Sequence, residues 1–407
     1  MINRQSVQLF GLPAAKGRWF LIALGSVVLL CLGTVYSWSI FRKPLEDLFG
    51  ISATQSLLPF TFLLVLYALL MPITGFYLQR IGVGKITAIG GIVTGVGYIL
   101  SSLTTNIFFL TITYGVIAGA GVGIAYGVPL AVSAQWFPDR PGLAVGLTAV
   151  GFGLSPLVTA PLARVLIATY GVLPTFTILG ISLTAIILVI STTLKLPPPG
   201  WTPPGWTPKV SNQKSGNQQK PIWESPLFYA LWFCYTIGTF VGLSAIGISS
   251  PVAEEIIQLD ATTAAITVSL FAVFNGIGRP LFGWLTDRLQ PKGAATISYI
   301  LILIASILML NATEGQTVTY LVAFSLFWLC LGGWLAIAPT ATLKLFDPHD
   351  YAKNYGIVFT AYGTGAFLGT IATGQLRDLF GSYTVAFYPT AIFAIAGIII
   401  AQLKLKS

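Results

Sequence analysis

The chain has 407 residues, of which 55% are hydrophobic and only 8% are charged, and its mean hydropathy is +0.84. A water-soluble core cannot bury so large an apolar share, so the composition excludes a soluble globular protein and predicts an integral membrane protein. The net charge of +9 would suit a nucleic-acid partner, but the positions of the charges along the chain argue against one.

Apolar runs of roughly 20 residues, long enough to cross a hydrocarbon core about 30 Å thick, recur along the whole chain. Twelve of them predict an all-α fold with twelve transmembrane helices. The predicted spans are 19–41, 55–78, 84–104, 108–133, 142–168, 172–194, 226–250, 262–286, 293–311, 318–343, 353–375 and 383–404.

The Lys and Arg residues indicate the orientation of these spans. With both termini in the cytoplasm, 16 of the 21 fall on the cytoplasmic side, and Arg279 alone falls well inside a span rather than at its end. The four that fall outside are Arg42, Lys43, Arg164 and Arg377. This asymmetry follows the positive-inside rule and explains the net charge without nucleic acid. We expect a monomeric, multi-pass protein of the plasma membrane (the cell inner membrane), surrounded by lipid bilayer.

Between the sixth and seventh spans, residues 195–224 are rich in Pro, Gly, Trp, Lys, Asn and Gln and include a tandem GWTP repeat that begins at Gly200. Such a composition is typical of an extended linker. The sequence therefore predicts an N-terminal six-helix bundle over 1–194, a cytoplasmic linker over 195–224 and a C-terminal six-helix bundle over 225–407. The Trp residues of the repeat lie either at the membrane interface or in a docking site for a partner.

The two predicted bundles repeat each other at a shift of about 210 residues. Two bundles whose ends all lie on the same side must be related by an axis along the membrane normal, which predicts pseudo-symmetry and alternating access by rocking. The matched residues are Pro72 with Pro280, Gly75 with Gly283, Arg80 with Arg288, Pro129 with Pro339, Pro138 with Pro348, and Gly146 with Gly356.

The sequence GWLTDR at 283–288, with a weaker copy, GFYLQR, at 75–80, resembles the cytoplasmic loop signature of the major facilitator superfamily. The resemblance covers essentially the whole chain and implies that fold. It also implies that Asp287, Arg288 and Arg80 clamp the cytoplasmic ends of the helices in the outward-open state. A glutamine replaces the acid in the N-terminal copy, so that half of the clamp should be weaker.

Four dispersed motifs narrow the resemblance to the oxalate/formate antiporter family and the related monocarboxylate transporters. They are GTVYSWSIF at 33–41, QWFPD at 135–139, NGIGRP at 275–280 and NYGIVFTA at 354–361. The resemblance implies a secondary transporter of small organic carboxylates that works by anion exchange or by proton-linked symport.

Arg279 carries the physical argument for an anion site. It lies eight residues from Asp287, which puts its backbone roughly 12 Å into the membrane. An unpaired guanidinium at that depth costs at least about 2.5–3.5 kcal/mol, and the sequence places no acid near mid-membrane. A substrate carboxylate would supply the missing partner in a bidentate geometry. The alternative is an arginine that is capped by backbone carbonyls or faces water.

Asn275 lies one helical turn from Arg279 on the same face, where it either orients the guanidinium, binds substrate or merely stabilises the helix. Many monocarboxylate transporters carry an acid at this spacing that takes part in proton coupling, so the asparagine argues against such coupling here. Tyr362, Trp334 and Tyr126 lie at a similar depth, roughly 10–14 Å, and either form an aromatic cage for the anion or pack between helices.

Tyr36 lies nearer the outer end of its span and reads as an outer gate or as an interface aromatic. Tyr362 departs from the family pattern, because the oxalate-carrying members have a lysine at the matching position. One cation in place of two favours a monoanion such as lactate, pyruvate, formate or glycolate. An oxalate/formate-type dicarboxylate antiporter and a receptor-like carboxylate sensor are the alternatives.

The sequence offers little material for catalysis, and we expect no enzyme, no cofactor and no metal site. Cys31, Cys234 and Cys330 each fall in an apolar span, and the single histidine, His349, falls in a predicted cytoplasmic loop. No constellation of His, Cys and carboxylate residues occurs within the predicted spans.

Overall fold

The computed structural model describes residues 7–206, 221–346 and 351–405, and in this part of the chain nearly all secondary structure is helical. The single exception among these residues is a short hairpin that pairs Gln8–Leu9 with Leu12–Pro13. Eleven helical segments of the described chain are long and apolar enough to cross a membrane. The predicted all-α membrane fold is therefore confirmed.

One of the eleven segments contains two helices. Ala261–Leu310 has 50 residues, which at 1.5 Å per residue would exceed twice the hydrocarbon thickness. Gln290 breaks it, because its φ of 61° and ψ of 165° are not helical and Pro291 follows. Dividing the segment there gives the predicted eighth and ninth spans.

The helices are numbered in chain order. They are α1 (Ala14–Phe49, with a 3-10 turn at Gly33–Ser37), α2 (Ala53–Ile81), α3 (Val83–Ser101), α4 (Ile107–Trp136, with a π-helical stretch at Thr111–Ala118), α5 (Pro141–Tyr170), α6 (Val172–Ser191), α7 (Pro226–Glu255), α8 (261–289), α9 (291–310), α10 (Thr317–Leu345), α11 (Tyr351–Phe380) and α12 (Phe387–Lys404).

Helices α1–α6 pack on one another, as do α7–α12, and the two sets meet mainly where α2 packs on α11 and α5 packs on α8. The exact division at 194 and 225 stays a prediction. Residues 207–220 of the predicted linker, and also Pro348 and His349, lie outside the described residues. Within the described part of the linker, the Trp201 ring packs 4.7 Å from the Trp136 ring at the end of α4.

Glycines allow some of these helices to approach closely. Gly115, Gly119 and Gly123 of α4 lie against α2, where an added Cβ would come within 3 Å of its atoms. Gly142 and Gly146 of α5, which share the same four-residue spacing, have nothing within 4 Å of an added Cβ. Small residues at this spacing therefore mark a close helix contact in α4 but not at the start of α5.

We call the end of the bundle where α1 begins and α12 ends the inner end, and the opposite end the outer end. At the outer end the structure corrects one prediction. The predicted span ends at residue 41, with Arg42 outside, but α1 continues through Pro44 to Phe49 and Arg42 is fully buried. The helix can continue because all three guanidinium nitrogens of Arg42 find acceptors: Ser56 Oγ, Glu46 Oε1, the Tyr383 hydroxyl and the carbonyls of Gly247 and Ala53.

Hydrogen bonds between the two helix sets are confined to the outer half of the described bundle. They run from the outer end to about mid-depth, and Arg279 makes the innermost one. The bonded pairs are Arg42 with Gly247 and Tyr383, Asp378 with Ala53 and Thr54, Thr61 with Thr370, Ser269 with Pro156, Tyr36 with Tyr362, and Arg279 with Ala149. The two sets are thus tied together at the outer end of the bundle.

The break at Gln290 generates a stability prediction. Its backbone conformation is one that glycine adopts easily and that costs another residue about 1–3 kcal/mol, and its side chain is exposed. Gln290→Gly should therefore stabilise the purified protein by about 1 kcal/mol, read as a higher melting temperature in detergent. Gln316→Gly, at a φ of −82°, is the control and should not stabilise. Equal effects of the two substitutions would contradict strain at Gln290.

Candidate functional site

Arg279 lies on α8 with only 6% of its surface exposed. Its Nη1 donates a 2.6 Å hydrogen bond to the carbonyl of Ala149 on α5. Its Nε and Nη2 are buried and have no hydrogen-bond partner among the described residues. Backbone capping, one of the predicted alternatives, therefore accounts for one of the three guanidinium nitrogens and leaves the other two free.

The other two buried arginines of the described chain are paired with acids. Arg18 makes a bidentate pair with Asp139, at 2.6 and 2.9 Å, and Arg42 lies 3.0 Å from Glu46. No Asp or Glu is fully buried among the described residues, and none of them lies within 4 Å of the Arg279 guanidinium. Arg279 is thus a buried cation without an acidic partner, which is a costly arrangement that an anion would relieve.

Asn275 is fully buried one turn before Arg279, and α10 holds it in place. Its Nδ2 donates to the Trp328 carbonyl at 3.1 Å, whereas its Oδ1 has no partner among the described residues. Both Oδ1 and the free Arg279 nitrogens face Gly153 of α5. The amide is therefore next to the guanidinium, as predicted from the spacing, but is not hydrogen-bonded to it.

Three of the predicted aromatic residues come together between the two helix sets. The Tyr36 and Tyr362 hydroxyls lie 2.9 Å apart, and the Tyr67 ring contacts those of Tyr362, at 5.5 Å, and Tyr126, at 4.9 Å. Phe152 of α5 closes the cluster, 5.0 Å from the Tyr36 ring and 5.1 Å from the Tyr126 ring. Tyr36 is 1% exposed, which argues against the second of its two predicted alternatives, an interface aromatic, and leaves the outer gate as a prediction.

Trp334 packs among aromatic side chains of its own helix set. It is fully buried, stacks on Tyr235 at 6.1 Å and lies against Gly238 of α7, so it packs between α7 and α10. Its Nε1 has no partner among the described residues. The structure therefore supports the packing alternative for Trp334, while Tyr126, Tyr362 and Tyr36 belong to the central cluster.

Several members of the cluster were missed from the sequence. Tyr355 and Phe359 lie one turn apart on α11, with Phe359 stacked 5.1 Å from Tyr362. The spacing of 355, 359 and 362 places these side chains on one helix face and could have indicated them. Tyr67 and Phe152 have no comparable signal.

With the residues that the structure describes, the three residues of the predicted clamp make no hydrogen bond or ion pair between the two helix sets. Asp287 Oδ1 lies 3.1 Å from Lys344 Nζ, and both belong to the second set. The Arg288 guanidinium lies 4.8 Å from the centre of the Trp284 ring, and Arg80 is exposed. The clamp was assigned to an outward-open state, so its role stays a prediction.

At the outer end, Glu255 pairs with Arg377 at 2.8 Å, and Asp260 caps α8. The Thr263 hydroxyl and nearby amides hold the pKa of the Asp260 carboxyl below its usual value. Among the described residues no group of three His, Cys, Asp or Glu side chains is placed to hold a metal ion.

Comparisons with known proteins agree with this geometry. A family model described as Major Facilitator Superfamily matches residues 19–343 and 232–406. The chain is 28% identical to the Oxalate:formate antiporter of Oxalobacter formigenes over 411 residues, which cover 99% of this chain and 96% of that protein. It is 26% identical to Monocarboxylate transporter 13 of Bos taurus over 316 residues, which cover 76% of this chain and 70% of that one.

A solved structure shares the fold. It is a bacterial homologue of the human lysosomal transporter Spinster in an inward-facing and unoccupied conformation, and it matches with a TM-score of 0.75 over 95% of this chain and 97% of that one. The sequence identity is 15%, so the likeness concerns the fold alone.

The Tyr36–Tyr362 pair generates a prediction for a double-mutant cycle. Either Tyr→Phe substitution leaves one buried hydroxyl unpaired and should destabilise the protein by about 1–3 kcal/mol. Removing both hydroxyls should cost less than the sum of the single changes, because no orphaned group remains. Melting temperatures of the four proteins measure the coupling. Additive losses would mean that the two hydroxyls do not depend on each other.

Proposed function

Because the chain belongs to the Major Facilitator Superfamily, we propose that it is a secondary transporter that moves small organic monocarboxylates across the plasma membrane by alternating access. The observation that carries this proposal is Arg279, a buried cation with two free nitrogens and no acidic partner among the described residues. A carboxylate bound side-on would accept from both nitrogens and neutralise the charge. The names of the relatives, which include oxalate, formate and monocarboxylates, point to the same ligand class.

Charge matching favours a monoanion such as formate, lactate, pyruvate or glycolate. Tyr362 lies in the central cluster, hydrogen-bonded to Tyr36, and supplies a hydroxyl rather than a second positive charge. Tyr126 and Phe152 add apolar surface that excludes water. Asn275 provides no titratable group beside Arg279, so exchange of anions is favoured over a proton relay at this position, and any coupled proton would have to bind elsewhere.

The distribution of hydrogen bonds between the helix sets supports a cycle of alternating access. These bonds run from the outer end to Arg279, so we assign the structure to a state closed on the outer side. With both termini in the cytoplasm, that state faces inward. Rocking would break the Arg42 contacts to Gly247 and Tyr383 and would bring the inner loops together, where Asp287, Arg288 and Arg80 clamp the outward-open state.

Arg279→Gln should abolish transport, because two charge-assisted hydrogen bonds to the substrate are lost. Each such bond contributes about 1.5–3 kcal/mol, so the loss of both predicts a fall of at least about 100-fold in the initial rate of uptake at low substrate concentration. The measurement is uptake of labelled formate and lactate into proteoliposomes, with Lys85→Gln, an exposed lysine on α3, as the control. Uptake by the arginine variant with normal affinity would remove Arg279 from the site.

Tyr362→Lys should change the charge preference of the site. A second cation in the cluster should lower the uptake of monocarboxylates and raise competition by oxalate, which carries two charges. The readout is inhibition of labelled formate uptake by unlabelled lactate and oxalate. Wild-type protein that already prefers oxalate would favour dicarboxylate antiport, and binding without flux in the wild type would favour a carboxylate sensor.

A further inference from the structure

The free edge of the Arg279 guanidinium faces Gly153 of α5. A Cβ built on Gly153 would lie 3.3 Å from both Nε and Nη2 and 2.6 Å from the Asn275 Oδ1. These are the three atoms at this contact that lack a hydrogen-bond partner among the described residues. The edge that suits a carboxylate therefore faces the helix backbone of the opposite set in this structure.

Gly153 is required here for space and not for backbone conformation. It lies within α5 and is absent from the glycines with positive φ. An alanine could adopt the same helical conformation, but its Cβ would come closer to the Asn275 Oδ1 than contacts allow. Asn275 cannot easily withdraw, because the Trp328 carbonyl holds its Nδ2.

Ala149, one turn before Gly153, completes the contact. Its carbonyl accepts from Nη1 at 2.6 Å, so one turn of α5 both accepts a hydrogen bond from the guanidinium and faces its other two nitrogens. The point that contacts both of these nitrogens at 3.3 Å is the Cβ position of Gly153, one bond length from its Cα, so α5 occupies the place of a carboxylate oxygen that would bridge them. A substrate can therefore occupy the edge only when α5 withdraws from α8.

We propose that Ala149 and Gly153 form a parking site on α5 that receives the Arg279 side chain when the carrier is empty, and that substrate competes with α5 for this side chain. This inference rests on the proposed carboxylate transport. Gly153 is then a positioning residue that acts through Arg279. It lets the empty carrier close over a buried charge, which permits some net uptake beside the favoured anion exchange and lowers the affinity for substrate.

Gly153→Ala should separate these effects. The added methyl group prevents parking, so the Kd for formate or lactate should fall several-fold. Net uptake requires the empty carrier to return, so its rate should fall more than the rate of exchange measured with substrate on both sides of the membrane. Gly146→Ala on the same helix is the matched control, since its Cβ meets nothing within 4 Å. Asn275→Ala, alone and together with Gly153→Ala, removes the 2.6 Å contact with the amide oxygen and leaves the 3.3 Å contacts with Arg279, so the change in the ratio of net uptake to exchange should persist.

Melting temperatures without any ligand keep this inference distinct from the proposed function. With Asn275 replaced by Ala throughout, parking predicts that Gly153→Ala destabilises the ligand-free protein by less when Arg279 is replaced by Met, because the remaining side chain that the methyl group obstructs is then gone. An effect of Gly153→Ala that is independent of Arg279, or weaker carboxylate binding with an unchanged ratio of net uptake to exchange, would overturn parking. Coupling to Arg279 in a protein that binds no carboxylate would retain the contact while refuting the proposed substrate class.

Discussion

The constraint on which this molecule depends is the cost of a positive charge in the membrane interior. Water and counter-ions are absent there, so each buried arginine must find its partners within the protein or in a ligand. Arg18 and Arg42 find them in Asp139 and Glu46, and both lie near an end of α1. Arg279 lies deeper and finds one backbone carbonyl among the described residues, which leaves its charge available.

Arg42 and Arg279 differ in how many hydrogen bonds they make within the protein, and this difference suits a structural role for Arg42 and a ligand-binding role for Arg279. Arg42 saturates its nitrogens with acceptors from both helix sets and so fastens the outer ends together. Arg279 also crosses between the sets, but through a single hydrogen bond. A contact of that kind can be exchanged for a ligand at modest cost, which is what a carrier that alternates between two states requires.

The sequence predicted the features that depend on local pattern. The helices follow from runs of apolar residues, the depth of Arg279 follows from counting along α8, and the neighbourhood of Asn275 follows from helical periodicity. Tyr126 and Tyr362, chosen by their predicted depth, both lie in the aromatic cluster between the helix sets. What could not be predicted depends on contacts between segments that are distant in sequence. The sequence places Arg42 in a loop, and only the folded chain brings Tyr383 and Gly247 close enough to accept its hydrogen bonds.

Trp334 shows the limit of depth as a criterion, since a residue at the right level can still face a neighbouring helix of its own set.

The most direct test of the account is the melting temperature of the purified protein and of Arg279→Gln with formate, lactate, pyruvate, glycolate and oxalate. A ligand at 100 times its Kd should stabilise the folded state by about 2.7 kcal/mol. The account predicts a rise with a monocarboxylate that disappears in the variant. The same rise in both proteins, or none with any acid, would contradict it.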